Sequence, residues 1–189
     1  MLDKLVRFLV ARAGKEYSAG YRAIATVLGA ALFLAGCPAL AAFSGRLTNG
    51  SVLAPDLAWV FGWDFFICGV PWVVWAVLWQ LWKGKGTPVP AVPTRHLLPT
   101  GPYRFCRNPM MFGFFCYIAG WAALLNRPGA YAAAGVLMAL LLAEIKCVEE
   151  KELAERFGEA YLRYKKETPF FFPALPVKKV QPEGLPSGA

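Results

Sequence analysis

The stretch that decides the fold is LAWVFGWDFFICGVPWVVWAVLWQLW, residues 57–82, a run of 26 residues with one charge, Asp64. As a helix rising 1.5 Å per residue it reaches roughly 39 Å, more than the hydrocarbon core of about 30 Å. Working outward, residues 23–43 form an uncharged run of 21 residues, long enough to cross at roughly 31 Å. Toward the C-terminus two closer-spaced runs, 110–125 and 129–147, are separated only by Asn126-Arg127-Pro128. The first of these reaches roughly 24 Å, so it either spans a thinned bilayer or rests inside the bundle. With 57% hydrophobic residues, 7 Trp and a mean hydropathy of +0.43, the chain is too apolar for an ordinary soluble domain. The expected fold is an all-α integral membrane protein of about four transmembrane helices, closing in a C-terminal helical hairpin and a cytoplasmic amphipathic helix.

Charge placement sets the expected orientation. Lys4, Arg7, Arg12, Lys15 and Arg22 precede the first span. Lys83, Lys85, Arg95, Arg104 and Arg107 lie between spans two and three, and eight more follow from Lys146 onward. Only Arg46 and Arg127 of the 20 basic residues fall on the other side. The positive-inside rule makes the basic face cytoplasmic, with both termini inside. The net charge of +8 is therefore a topology signal rather than a nucleic-acid footprint, and its clusters also hold the face against anionic lipid. Residues 1–22 lack the apolar core of a cleavable signal peptide. Leu2, Leu5, Val6, Leu9 and Val10 instead make one helical stripe, expected to lie along the membrane surface.

The cytoplasmic loop, residues 83–109, carries TRHLLPTGPYRFCRNPMMFG from Thr94 to Gly113. Asn108-Pro109 is a helix start, Asn capping and Pro at the first helical position. Its free amides point into the loop, where they can receive an anion. Asn126-Arg127-Pro128-Gly129 is a short turn that makes spans three and four an antiparallel hairpin. Cys37, Cys68 and Cys116 sit in apolar spans, Cys106 and Cys147 near the cytoplasmic face. With no CxxC spacing and a single His, they read as reduced structural cysteines and no metal site.

Past Cys147 the chain turns amphipathic over residues 148–167, with Leu153, Phe157, Tyr161 and Tyr164 on one face. Phe170-Phe171-Phe172 reads as an interfacial wedge, and residues 174–189 as a disordered tail. Glu149 and Glu150 arrive within three residues of the last apolar run. Adjacent helical residues point about 100° apart, so one of the two faces the bundle. A carboxylate held there wants a cation or a hydrogen-bond donor, from Arg104, Arg107 or a bound cofactor.

Taken in order, Gly101-Pro102-Tyr103-Arg104, Arg107-Asn108-Pro109 with Gly113, Glu149-Glu150 with Leu153, Phe157-Gly158, Tyr161, Tyr164 and Pro173 resemble the membrane-embedded isoprenylcysteine carboxyl methyltransferase and phospholipid methyltransferase superfamily. That family's pattern runs GPYR, RHPxYxG, EExxL, FGxxY, Y and a closing Pro. Gly84-Lys85-Gly86-Thr87-Pro88 with Pro90 and Pro93 is similar to its bacterial branch, in which RNPM replaces RHP. The likeness covers roughly residues 83–173.

The resemblance implies a methyltransferase that binds S-adenosylmethionine on the cytoplasmic side of a bacterial inner membrane. Its acceptor would be a lipophilic small molecule or lipid entering from the bilayer: a prenylcysteine-like carboxylate, a thiol or a lipid head group. It implies a cofactor site drawn from His96, Leu98, Gly101, Pro102, Tyr103, Arg107, Asn108, Pro109, Met110, Gly113, Glu149 and Glu150, with Tyr103 and Arg107 at the reaction. Glu149 or Glu150 would take the diol or ammonium; Arg107 and the Asn108 helix end would take the carboxylate. Tyr103, Leu98 and Met110 would wall the adenine or the transfer channel. Asn108 replaces the family His, Met111 stands where Tyr is common, and His96 lies one position from a His found in some members. A carboxylate or thiolate acceptor needs no general base, which leans the reading toward those. Three alternatives remain: a membrane reductase of sterol or enone type, a scaffold or small transporter using Asp64 beside Pro71, and an inactive family member.

Overall fold

The computed structural model describes residues 18–84 and 96–175, together with Val10. Most of the surface helix expected over 1–22, residues 85–95 of the loop and the tail from Pro176 onward lie outside the described residues. Within them every regular element is helical, and three helical runs are long and apolar enough to cross a membrane: Ala23–Arg46, Pro55–Lys83 and Pro128–Glu167. The exposed Trp59, Trp63, Ile67, Leu78 and Trp82 give the second of these an apolar outer face suited to lipid.

The first run is α1 (Ala19–Ala31), a π turn (Leu32–Gly36) and α2 (Cys37–Arg46). Ser18 caps it, its Oγ accepting from the Tyr21 amide at 3.2 Å. Pro38 has no N–H to offer the carbonyl one turn earlier, Leu34, which is a recognised cause of helix distortion. The Tyr117 hydroxyl donates to that carbonyl at 2.7 Å, so a span-three side chain replaces the missing backbone bond.

Helix α3 (Pro55–Lys83) and the short α4 (Pro109–Leu125) pack antiparallel through glycines. A Cβ on Gly69 would stand 2.6 Å from the Gly113 carbonyl, and one on Gly113 2.6 Å from the Gly69 carbonyl. One helical stretch further along, a Cβ on Gly120 would meet the Gly62 carbonyl at 3.0 Å. Two glycines seven residues apart on each helix therefore let the backbones touch, the packing device of membrane helices. Phe114, Phe115, Ile118, Ala122 and Ala123 are buried on α4 as well, against α2 and against α5 (Pro128–Glu144). That decides the alternative left by its length: α4 is the interior helix of the bundle.

Asn126 ends α4 in the left-handed conformation, φ 49°, as short helix connections often require. Its carboxamide oxygen accepts from the Val52 and Leu53 amides at 3.1 and 2.9 Å, and its nitrogen donates to the Leu53 carbonyl at 2.9 Å. One side chain thus fastens the first connecting loop to the hairpin. Helix α5 then runs through a second π turn, Ile145–Glu149, into α6 (Glu150–Glu167), which kinks at Gly158, φ 51° and ψ −131°. From Pro128 to that kink the run extends to roughly 45 Å, more than the hydrocarbon core of about 30 Å, so its polar part, from about Val148, must leave the hydrocarbon.

After α6 the chain folds back as a strap. The Arg107 amide donates to the Pro169 carbonyl at 2.8 Å, and the Ala174 amide to the Phe105 carbonyl at 3.0 Å. Phe171 packs on Phe115 and Phe112, ring centroids 5.0 and 5.8 Å away. Of the expected interfacial wedge only Phe172 projects outward, 74% exposed. The strap's backbone bonds turn Phe171 onto α4 instead.

Candidate functional site

The GPYR segment forms a 3-10 turn, Gly101–Arg104, seated on the end of α3. Gly101 has φ +62°, and a Cβ there would run into the Trp79 indole. Backbone angle and space both demand glycine. Pro102 and Cys106 are fully buried beneath the turn, and the Tyr164 hydroxyl donates to the Tyr103 carbonyl at 2.6 Å. Loop, α3 and α6 are thereby fixed to one another.

Between these elements lies a small, partly open cavity of about 60 Å³, lined by Gln80 of α3, Leu97, Leu98, Tyr103, Arg107, Glu149, and Leu153, Phe157 and Tyr164 of α6. π turns recur at functional sites because the extra residue re-aims side chains. Here the turn ends on the acidic pair and separates the fates of its two members.

Glu150 is spoken for. Its carboxylate takes Arg107 Nη1 on one oxygen and Lys165 Nζ, at 2.7 Å, on the other. Arg107 Nη1 also lies 3.4 Å from the Tyr161 hydroxyl, and its guanidinium 5.4 Å from the Phe170 ring. Glu149 faces the cavity and, among the described residues, has no hydrogen-bond partner. Burial, then the charges of Glu144, Glu152 and Glu150, push its carboxyl up to about 7. The Arg107 Nε, also buried, is without a partner. Glu149 and Arg107 therefore line the same cavity, each with hydrogen-bonding capacity the fold leaves unused.

Three neighbouring groups, Tyr103, Tyr164 and Cys106, are quiet at neutral pH. Burial, reinforced by Glu149, raises Tyr103 well above the usual phenol range, and burial raises Tyr164 too. The Cys106 thiol is pushed up to about 12 by burial. None of the three ionises near pH 7, whereas the Glu149 carboxyl, at about 7, exchanges a proton there.

Of the residues singled out by sequence, Leu98, Tyr103, Arg107 and Glu149 line the cavity. Gly101 and Pro102 build the turn behind it, and Gly113 belongs to the α3–α4 contact. Met110 is half-buried in the first turn of α4 and His96 is exposed. Pro109 is buried at the first position of α4, as expected. Asn108 departs from its expected role. It makes no side-chain cap; its Nδ2 donates to the Phe170 carbonyl at 2.9 Å, tying the strap to the start of α4. Arg104 is exposed and stacks on Phe105 at 4.7 Å, so Arg107 alone meets the acidic pair. Gln80 and Leu97 escaped sequence reading: Gln80 ends an apolar span, and nothing in its neighbours marks it. Leu153, Phe157 and Tyr164 carried a signal, the apolar stripe of α6, but a stripe does not say whether it covers lipid or a cavity.

The family model described as phospholipid methyltransferase matches residues 57–160, which takes in α3, the GPYR turn, α4, the hairpin and most of α6. The search of curated proteins gave no match. The family match covers more than half of the chain and contains most of the cavity wall: the protein belongs to the phospholipid methyltransferase family, a family of membrane methyltransferases.

Proposed function

We propose that this protein transfers a methyl group from S-adenosylmethionine to a lipophilic acceptor that enters from the bilayer, at the cytoplasmic face of a bacterial inner membrane. The observation that carries the proposal is the pairing, in one cavity, of an unpartnered Glu149 carboxyl with the unpartnered Nε of Arg107. A buried N–H left without a partner, as at Arg107 Nε, costs about 1–3 kcal/mol, and with the unbonded Glu149 carboxyl beside the same cavity the pair suits a ligand that offers an acceptor to one and a donor to the other. S-adenosylmethionine offers an ammonium and a ribose diol for Glu149 and a carboxylate for Arg107, with Tyr103, Leu98 and Phe157 as walls for its base. Glu150 does not compete, since Arg107 and Lys165 already occupy it.

Bound there, the cofactor would supply a methyl group on a cationic sulfonium, open to in-line displacement. The chain's contribution is to orient and to exclude water. Tyr103, held neutral by burial, donates a hydrogen bond or packs but takes no proton. The acceptor classes are a prenylcysteine-like carboxylate, a thiol and a lipid head group. The first two react without a base once ionised, and an amine head group would have Glu149 to receive its proton.

The reductase reading fits the cavity poorly. A nicotinamide dinucleotide brings phosphates, whereas the lining holds one Arg, committed in part to Glu150, beside an acidic Glu149. Calorimetry on the detergent-purified protein tests the proposal: S-adenosylmethionine and its demethylated product should bind in the micromolar range and NADPH should not. Binding of NADPH alone would overturn it.

A further inference from the structure

The cytoplasmic end of α3 carries two buried polar atoms without partners, Trp79 Nε1 and Gln80 Oε1. Trp79 has a packing reason to be there, since its indole is the surface on which Gly101 rests. Gln80 has none. Its backbone carbonyl closes the helix by accepting from the Gly84 amide at 2.9 Å, while its side chain lines the cavity. A Leu or Met there would extend the apolar span at no desolvation cost, and an orphaned acceptor costs about 1–3 kcal/mol. The carboxamide makes sense when a ligand donates to it.

We infer that Gln80 reads the purine of the adenosyl group, its carboxamide oxygen accepting from the exocyclic amine; the inference rests on the methyltransferase reading proposed above. The surroundings select the base over the other parts of such a ligand. Leu97 and Leu98 from the loop and Leu153 and Phe157 from α6 share the cavity with Gln80, and apolar walls suit a flat ring. The ligand's ammonium and diol find a stronger partner in Glu149, and its carboxylate in Arg107. A neutral acceptor remains for a neutral donor. Adenine's edge pairs an amine donor with a ring-nitrogen acceptor, and a carboxamide matches both in a two-bond contact. Gln80 is then a specificity residue: a purine with a carbonyl at that position sets acceptor against acceptor.

The test measures binding of S-adenosylhomocysteine and of its inosine analogue to the full-length protein in detergent. Wild type should prefer the adenosine compound by about tenfold or more, the effect of one buried hydrogen bond and one repulsion. Gln80→Met should bind S-adenosylhomocysteine about ten- to a hundredfold more weakly and lose the preference. Gln80→Glu, still an acceptor, should keep it, and serves if the Met variant does not fold. Equal affinity of wild type for both compounds, or a preference that survives in Gln80→Met, overturns the inference and leaves the methyltransferase reading intact. Failure of wild type to bind either compound overturns both.

Discussion

Glu149 offers the sharpest test of the site, because its protonation and the binding of a cationic ligand are linked. Its carboxyl sits at about 7 in the fold against 4.5 when free. The folded chain therefore holds a proton that the unfolded chain releases, and Glu149 costs stability progressively as pH rises from 4.5 through 7. Ligand binding runs the other way. If the ligand's ammonium or diol engages the ionised carboxylate, affinity follows the ionised fraction, about one in eleven at pH 6 and about three in four at pH 7.5. S-adenosylhomocysteine should then bind about eightfold more tightly at pH 7.5 than at pH 6, about 1.2 kcal/mol, over a range in which an α-amino group stays largely cationic. Of the carboxylates that raise Glu149, Glu150 is paired with Arg107 and Lys165 and Glu152 with Arg156 at 2.7 Å, while Glu144 contributes the largest of the three effects. Calorimetry at both pH values, on wild type and Glu149→Gln, reads the effect. Glu149→Gln should bind weakly and with a flat profile. A flat wild-type profile, or a slope that persists in the Gln variant, would refute the assignment of Glu149 to the ligand.

Arg107→Lys should weaken binding of the same ligand about tenfold or more, since Lys cannot hold Glu150 with one nitrogen and offer a second N–H to the cavity; unchanged affinity in titration calorimetry would reduce Arg107 to a point charge. Gly113→Ala should lower thermal stability by about 1–3 kcal/mol, because the new methyl stands 2.6 Å from the Gly69 carbonyl, backbone that cannot step aside; a melting curve superimposable on wild type would deny the close contact of α3 with α4. In a cysteine-free background, a cysteine at Ser51 should react with a membrane-impermeant thiol reagent in intact cells, and one at Thr87 only after lysis. The reverse pattern would put the cavity outside, away from any supply of S-adenosylmethionine.

Some of this was determined by sequence alone, for reasons of length and solvent. Twenty or more apolar residues cannot rest in water, and a backbone in lipid must bond to itself, so residues 57–82 require a membrane helix whatever surrounds them. The hairpin followed from Asn126 and Pro128, local residues with local consequences, and the ordered motifs pointed to the family before any coordinate did. Tertiary structure decided what depends on partners distant in the chain. That Gly62 and Gly69 face Gly120 and Gly113 is invisible to a hydropathy profile, because a glycine contributes nothing to apolarity and everything to how closely two backbones approach. The acidic pair showed that one carboxylate must turn inward, but which one turns on a π turn and on Lys165, 15 residues further on. Asn108 read as a cap until Phe170, 62 residues away, claimed its side chain. Gln80 carried no signal at all: a single polar residue at the end of an apolar span becomes informative only when its neighbours prove to have nothing to offer it.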